Sequence, residues 1–505
     1  MNQIAKSVTI VTFFSVTTRL LSFIFKSYMS HAFGAETVGL FQICLSVLFL
    51  LLALTAGGIP TVLSRKIAEC EVNRDFKKQN RYVAASLILG SVLSAIVIAA
   101  CYLGKNLLYK IFSDDRCVPL FLIMLPAIFT STFYGVIRAW FWGKKKFTAF
   151  SFTELLDEVF KIAFTACFAG GLIAEIAGAK GIAIAFTVAD AACVLILIVL
   201  FFINKGKFAK PEGFLELTKA STPLAALRII TGLMASLTAI IVPAQLALSM
   251  SQEEATAMYG RIAGMALPLL MAPSTIIGSL AVVLIPEMAG ANAKGDSDTL
   301  RSKMDGSIIF AFFVSSLFMV LFVPLGKEIG KLFFGDETAG QYVSYCALLM
   351  YPIGLNQVTS PIVNSIGKEH KTLLHYLAGL VLLIPCILFL PRYIGAYAIA
   401  VGNGLCFLIC AILNIVVLKK HLKGKNRFAL KSFLSVLFAV PSLLLTYFIK
   451  GILSHYLSTV FVIIFAGGAG AVSYLLITDV FNLISFRAFF AKSKKKKKRL
   501  KGALV

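Results

Sequence analysis

Apolar residues arrive in this chain in repeated blocks of about 20, and each block is long enough to cross a ~30 Å hydrocarbon layer as a helix. Fourteen such blocks can be read along the 505 residues, near 7–30, 38–64, 82–104, 117–142, 148–170, 181–203, 222–249, 259–288, 306–326, 340–366, 372–391, 393–418, 432–450 and 457–480. In lipid, a helix satisfies all of its backbone polar groups within one segment. A strand barrel would show alternation, and these blocks do not. The expectation is an all-α polytopic membrane protein with about 14 transmembrane helices. Composition agrees: 14% of residues are charged and 59% hydrophobic, against about 25% charged in a soluble domain.

The loops between blocks test this reading through their positive charge. Alternate loops, together with both termini, hold 34 of the 48 Lys and Arg residues; the opposite loops hold 9. One missed or invented span would invert that alternation downstream. Both termini are therefore expected in the cytoplasm, with an even number of spans in a cytoplasmic membrane. The net charge of +24 has the same origin. The run Lys494 to Arg499 resembles a nucleic-acid signal, but beside a final span it reads as an anchor to anionic lipid. Lys6 precedes an apolar run as in a signal peptide, yet Arg19 interrupts the run and no A-x-A pattern follows, so it reads as a retained helix. The ten Cys show no CxxC, and the five His have no ligand spacing, so no metal site or catalytic centre is expected. No nucleotide-binding loop is visible.

The first six spans echo the next six. Span 2 ends "GGIPTVLSRKIAE" and span 8 "AVVLIPEMAGANAKG"; spans 4 and 10 both close with Gly-Lys before a basic loop; spans 1 and 7 carry Arg19 and Arg228. An even number per repeat makes these parallel repeats. The expected organisation is a six-helix bundle over 1–220, a second over 221–431, two additional helices over 432–485 and a basic tail over 486–505.

A charge at the centre of a span costs about 2.5–3.5 kcal/mol, so each needs a partner, water or a role. The intramembrane charges are Arg19, Lys26, Arg138, Glu154, Asp157, Glu158, Lys161, Asp190 and Arg228. Lys26 and Arg228 are close enough to span ends to snorkel, and Arg138 lies beside Trp140 and Trp142 as an interfacial anchor would. Span 5 is different. Asp157 sits about nine residues in, or ~14 Å deep. At 100° per residue Glu154, Asp157, Glu158 and Lys161 share an arc of about 100°. That face must look into the bundle. Asp157 and Lys161 form the favourable i,i+4 pair. The excess of acid requires protonation or cations from other helices, with Arg19 and Arg138 as candidates. A buried network that only fixes packing is the alternative.

The segments "TRLLSFIFKSYMSHAFGAETVGLFQ" (18–42), "AGGIPTVLSRKIAE" (56–69) and "IRAWFWGKKKFTAFSFTELLDEVFKI" (137–162) resemble the stage V sporulation protein B and polysaccharide-exporter branch of the multidrug/oligosaccharidyl-lipid/polysaccharide flippase superfamily. The lipid II flippases are similar in their first helix, which Arg19, Phe23 and Lys26 match, with Ser22 in place of a common Gly. Asp157 and Lys161 match the acid and base of span 5, and Glu154 and Glu158 are additional. The usual Gly-rich end of span 4 is Ala139, Trp140, Phe141 and Trp142 here. The resemblance implies two bundles around a central cavity, alternating access, and a polyprenyl-pyrophosphate-linked sugar as cargo. On that footing Arg19, Lys26 and Arg228 are the expected substrate-binding residues. Glu154, Asp157, Glu158, Lys161 and Arg138 are the expected coupling or ion-pair network. No cofactor is expected beyond a coupling cation (H+ or Na+) or the membrane potential. Expected partners are the lipid-linked sugar, anionic lipid at the tail and cell-wall synthesis enzymes, not nucleic acid. A cation-coupled multidrug antiporter and a non-transporting scaffold for wall-synthesis enzymes are the alternatives.

Overall fold

The computed structural model describes residues 3–170, 178–422, 428–481 and 483, and side chains from residue 13 onward except at 281–287, 289 and 293. Among the described residues there are helices and no strands. The expected basic tail 486–505, with its lipid anchor, lies outside the described residues.

Among the described residues eleven helices are long and apolar enough to cross a membrane, or twelve if the bent pair Gln252–Met271 and Ser274–Leu280 is one span. The all-α membrane architecture is as expected; the count by length and composition is below fourteen for two physical reasons. Helix α1 (Gln3–Ala56) covers the first expected span and most of the second, and its 54 residues would extend ~80 Å if straight. It is broken at Gly34, whose φ of 77° and ψ of 172° belong to a region open to glycine. The fifth expected span is a helix of 22 residues, Phe147–Phe168, whose four closely spaced charges set it apart from the eleven.

The helices group into two compact units, Met1–Met265 and Ala266–Val505. The first holds α1, α2 (Ile59–Val72), α3 (Phe76–Leu103), α4 (Lys105–Ile111), α5 (Cys117–Met124), α6 (Pro126–Gly143), α7 (Phe147–Phe168), α8 (Ala179–Ile203), α9 (Phe214–Leu246) and α10 (Gln252–Tyr259). Its core gathers Leu63, Ile67, Trp140, Phe141, Phe150 and Phe201. Helix α9, the seventh expected span, packs against α1, α2 and α3.

Lipid tails are as apolar as Leu, so helices in lipid associate through close backbone approach at small residues. The first unit does this repeatedly. A Cβ on Gly39 of α1 would lie 2.1 Å from the Thr256 carbonyl oxygen of α10, and one on Gly143 of α6 2.7 Å from Ile67 Cβ of α2.

In the second unit a bent segment, α11 (Leu267–Met271) and α12 (Ser274–Ala293), leads into the long α13 (Ser297–Phe334). Then follow α14 (Glu337–Cys346), α15 (Met350–Ser365), α16 (Glu369–Phe389), α17 (Pro391–Ile394), α18 (Tyr397–His421), α19 (Phe428–Leu453) and α20 (Thr459–Val480). The two additional helices, α19 and α20, both pack on α13. Lys450 of α19 pairs with Glu328 Oε1 at 2.8 Å and donates to the Pro324 carbonyl at 2.7 Å.

One charged cluster ties the loop end of the first unit together. Asp114, in the α4–α5 connection, is 2% exposed. It accepts from Arg116 Nε at 3.0 Å, Arg116 Nη2 at 2.8 Å and Thr256 Oγ1 of α10 at 2.9 Å, while Arg116 Nη1 pairs with Glu36 of α1. Burial pushes the Asp114 carboxyl up, but the Arg116 side-chain and backbone donors and Thr256 outweigh it and hold it below the ordinary value. A depressed carboxylate contributes stability above its unfolded pKa, and that contribution is lost as pH falls through the folded value. Asp114→Asn should therefore cost about 1–3 kcal/mol at pH 7. It should read as a lower melting temperature in lipid nanodiscs, and the gap from the unaltered chain should narrow below about pH 4.

Candidate transport site

Helix α7 is apolar over most of its surface and carries Glu154, Asp157, Glu158 and Lys161 in one stripe, at spacings of three and four residues. That stripe faces α1, α6 and α8. Lys161 Nζ pairs with Asp157 Oδ2 at 2.5 Å and lies 5.1 Å from the Phe186 ring centroid of α8. Ser22 Oγ of α1 donates to Glu158 Oε1 at 2.6 Å. Arg138 Nη2 of α6 pairs with Glu154 Oε1 at 2.6 Å. Each contact gives a charge in an apolar setting something in place of water, which is what keeps such a residue affordable in a span.

Two cavities open beside this stripe. The smaller, about 360 Å³, is lined by Arg19, Tyr134, Glu154, Asp157, Glu158 and Asp190, among others. The larger, about 1020 Å³, is lined by Arg138, Arg228, Tyr134, Trp142, Ser64 and Ser131 with apolar neighbours, and by no carboxylate among the described residues. Tyr134 borders both, its hydroxyl 3.1 Å from Thr153 Oγ1. Arg138 joins them too: it lines the larger cavity and reaches Glu154 on the smaller.

The expected residues fall into three groups. Arg19, Glu154, Asp157 and Glu158 surround the smaller cavity, with Lys161 behind Asp157. Arg138 and Arg228 line the larger. Lys26 lines neither; it is half-buried and faces Glu158 electrostatically. Of the two cations expected to approach the acids, Arg138 makes an ion pair. Arg19, on the smaller cavity, and Arg228, on the larger, have no ion-pair partner among the described residues. Both are exposed.

Asp190 gained no role from the sequence, although its place in an apolar span was a signal. It accepts from Thr130 and, at 3.0 Å, from Ser131 Oγ of α6. Tyr134 carries no charge to draw attention; its one signal is the i,i+4 spacing to Arg138 on α6.

The family model described as "Polysaccharide biosynthesis protein" matches residues 4–292. Stage V sporulation protein B of Bacillus subtilis (strain 168) is 25% identical over 370 residues, 70% of this chain and 71% of that protein. Sporulation protein YkvU of the same organism is 21% identical over 354 residues, 68% of this chain and 78% of that one. Among solved structures, the lipid II flippase MurJ in an inward closed conformation matches with a TM-score of 0.72 at 14% identity, covering 93% of this chain and 98% of that one. An inward-facing multidrug resistance MATE family transporter of the MOP superfamily matches with a TM-score of 0.67 at 16% identity, covering 80% and 94%. The two structural matches establish a shared transporter fold, and the family match extends over more than half of the residues. The chain belongs to the polysaccharide biosynthesis protein family.

Proposed function

We propose that the protein is a flippase that carries a polyprenyl-pyrophosphate-linked sugar precursor across the cytoplasmic membrane by alternating access, for cell-wall, spore-cortex or polysaccharide synthesis. The observation that carries this reading is the lining of the larger cavity: Arg138 and Arg228 with no carboxylate among the described residues. A guanidinium presents a planar fork of donors that fits phosphate oxygens in pairs. In an apolar cavity such contacts are stronger than in water. The volume of about 1020 Å³ suits a headgroup of sugar and pyrophosphate rather than a small ion.

Arg19 and Lys26 on α1 would extend the cationic path, and the α7 acids would hold cations in place while the cargo is absent. The smaller cavity is the natural place for a coupling proton or sodium ion, or for charges that sense the membrane potential. No covalent step is required. Both termini face the cytoplasm in this reading, where the basic tail would meet anionic lipid and wall-synthesis enzymes would deliver the cargo. The relatives' names, lipid II flippase and sporulation proteins among them, support this direction.

A second reading, a cation-coupled multidrug antiporter, is favoured by the four carboxylates around the smaller cavity and by the multidrug transporter fold. The two readings differ in the sign of the cargo. Arg19→Ala should abolish complementation of a flippase-depleted strain while leaving expression intact; normal growth would count against the flippase. The Arg138–Glu154 pair gives a sharper test. For an anionic cargo, Glu154→Gln frees Arg138 and should tighten binding of a polyprenyl pyrophosphate in nanodiscs. Arg138→Ala should weaken it by roughly tenfold or more, the value of a charged hydrogen bond. For a cationic drug, Glu154→Gln should weaken binding instead.

A further inference from the structure

The two tryptophans of the chain stand two residues apart at the end of α6, where the family resemblance leads one to expect glycine, and they have opposite surroundings. Trp140 is fully buried in the core of the first unit. Trp142 is 48% exposed and lines the larger cavity. Its indole stacks on Phe150 of α7, with centroids 5.3 Å apart and planes 10° from parallel. Phe150 is itself 2% exposed, so the indole rests on a buried support. The Arg138 guanidinium lies 5.1 Å from the Trp142 centroid and 5.3 Å from that of Phe150. A large flat ring is thus held rigidly against the cavity, with a cation beside it.

We infer that Trp142 is a stacking platform for a sugar ring of the cargo, a deepening that rests on the flippase reading above. A pyranose presents one face of C–H groups made electropositive by the neighbouring oxygens. That face complements the negative face of an indole, the more so when the ring is fixed beforehand. The surroundings suit a sugar better than a polyprenyl tail. Arg138, Arg228 and the hydroxyls of Thr61, Ser64 and Ser131 share the cavity wall, so the equatorial hydroxyls of a stacked ring have donors and acceptors around them. In the cargo, the first sugar is bonded directly to the pyrophosphate. A platform beside two arginines places both chemical parts in one cavity. Interfacial anchoring, the usual reason for an exposed tryptophan near a span end, requires neither the Phe150 support nor a place on the cavity wall.

The test uses the full chain in lipid nanodiscs and two ligands: a bare polyprenyl pyrophosphate and the same lipid carrying a disaccharide. Trp142→Ala should weaken binding of the sugar-bearing lipid by about tenfold and leave the bare lipid unchanged, while Trp142→Tyr keeps most of the affinity. Fluorescence adds an independent readout, because the chain has two tryptophans and Trp140 Nε1 makes no hydrogen bond among the described residues that Trp140→Phe would remove. In the Trp140→Phe chain, emission from Trp142 should respond to the sugar-bearing lipid and not to the bare one. Equal losses for both lipids, or no loss for either, would overturn the platform and leave the flippase reading standing. If the unaltered chain binds neither lipid, the flippase reading falls and the platform with it.

Discussion

A charge in the middle of a bilayer has no water to turn to, and the first unit is arranged around that constraint. Helix α7 must bring four charged side chains to membrane depth on one stripe. It meets the cost by turning the stripe inward, where Lys161, Arg138 and Ser22 supply what solvent would otherwise give. The rest of the unit follows from this. Helices α1 and α6 must stand close enough to deliver Ser22 and Arg138, and close approach in lipid depends on small residues. Gly39 on α1 and Gly143 on α6 sit where a Cβ would collide with backbone or with Ile67. Those glycines seat α1 against α10 and α6 against α2, and the helices so fixed are the ones that carry Ser22 and Arg138.

Much of this was legible in the sequence because lipid imposes strong patterns. The length of an apolar block and the 100° step of a helix were enough to place α7 and to gather its charges on one face. The Asp157–Lys161 pair followed from spacing alone, since i,i+4 residues on a helix are neighbours wherever the helix lies. What could not be read were the partners on other helices. Arg19 and Arg138 were both candidate cations, and Arg138 read more as an interfacial anchor beside its tryptophans. Only the relative placement of α1 and α6 gives the ion pair to Arg138 and leaves Arg19 exposed beside the same acids.

The same limit explains Trp140 and Trp142. Two residues apart on a helix is about 200° of rotation, so the two must face opposite ways. The sequence says that much and no more. Which one enters the core depends on where α2 and α8 lie, and the structure gives that place to Trp140, against Phe201 of α8. Gly34 is the converse case. It falls in the expected connection between the first two spans, and that connection proves to be a single glycine break inside one long helix, in a conformation that side-chain-bearing residues avoid.

The two cavities divide the charge of the unit between them. Acids surround the smaller and arginines line the larger, with Arg138 shared across the boundary through Glu154. A guanidinium held by one carboxylate has other donors still to satisfy, and Arg138 Nε is buried without a hydrogen-bond partner among the described residues. An arriving phosphate would compete with Glu154 for the same group. Whatever anion enters the larger cavity thus changes the electrostatic balance of the smaller one, because releasing Glu154 leaves an unpaired carboxylate beside Asp157 and Asp190. That carboxylate needs a new counter-charge, and a proton or a metal cation from water is the cheapest available. In the proposed flippase, cargo and a coupling ion would in this way sense each other through a single side chain, with no longer path between them.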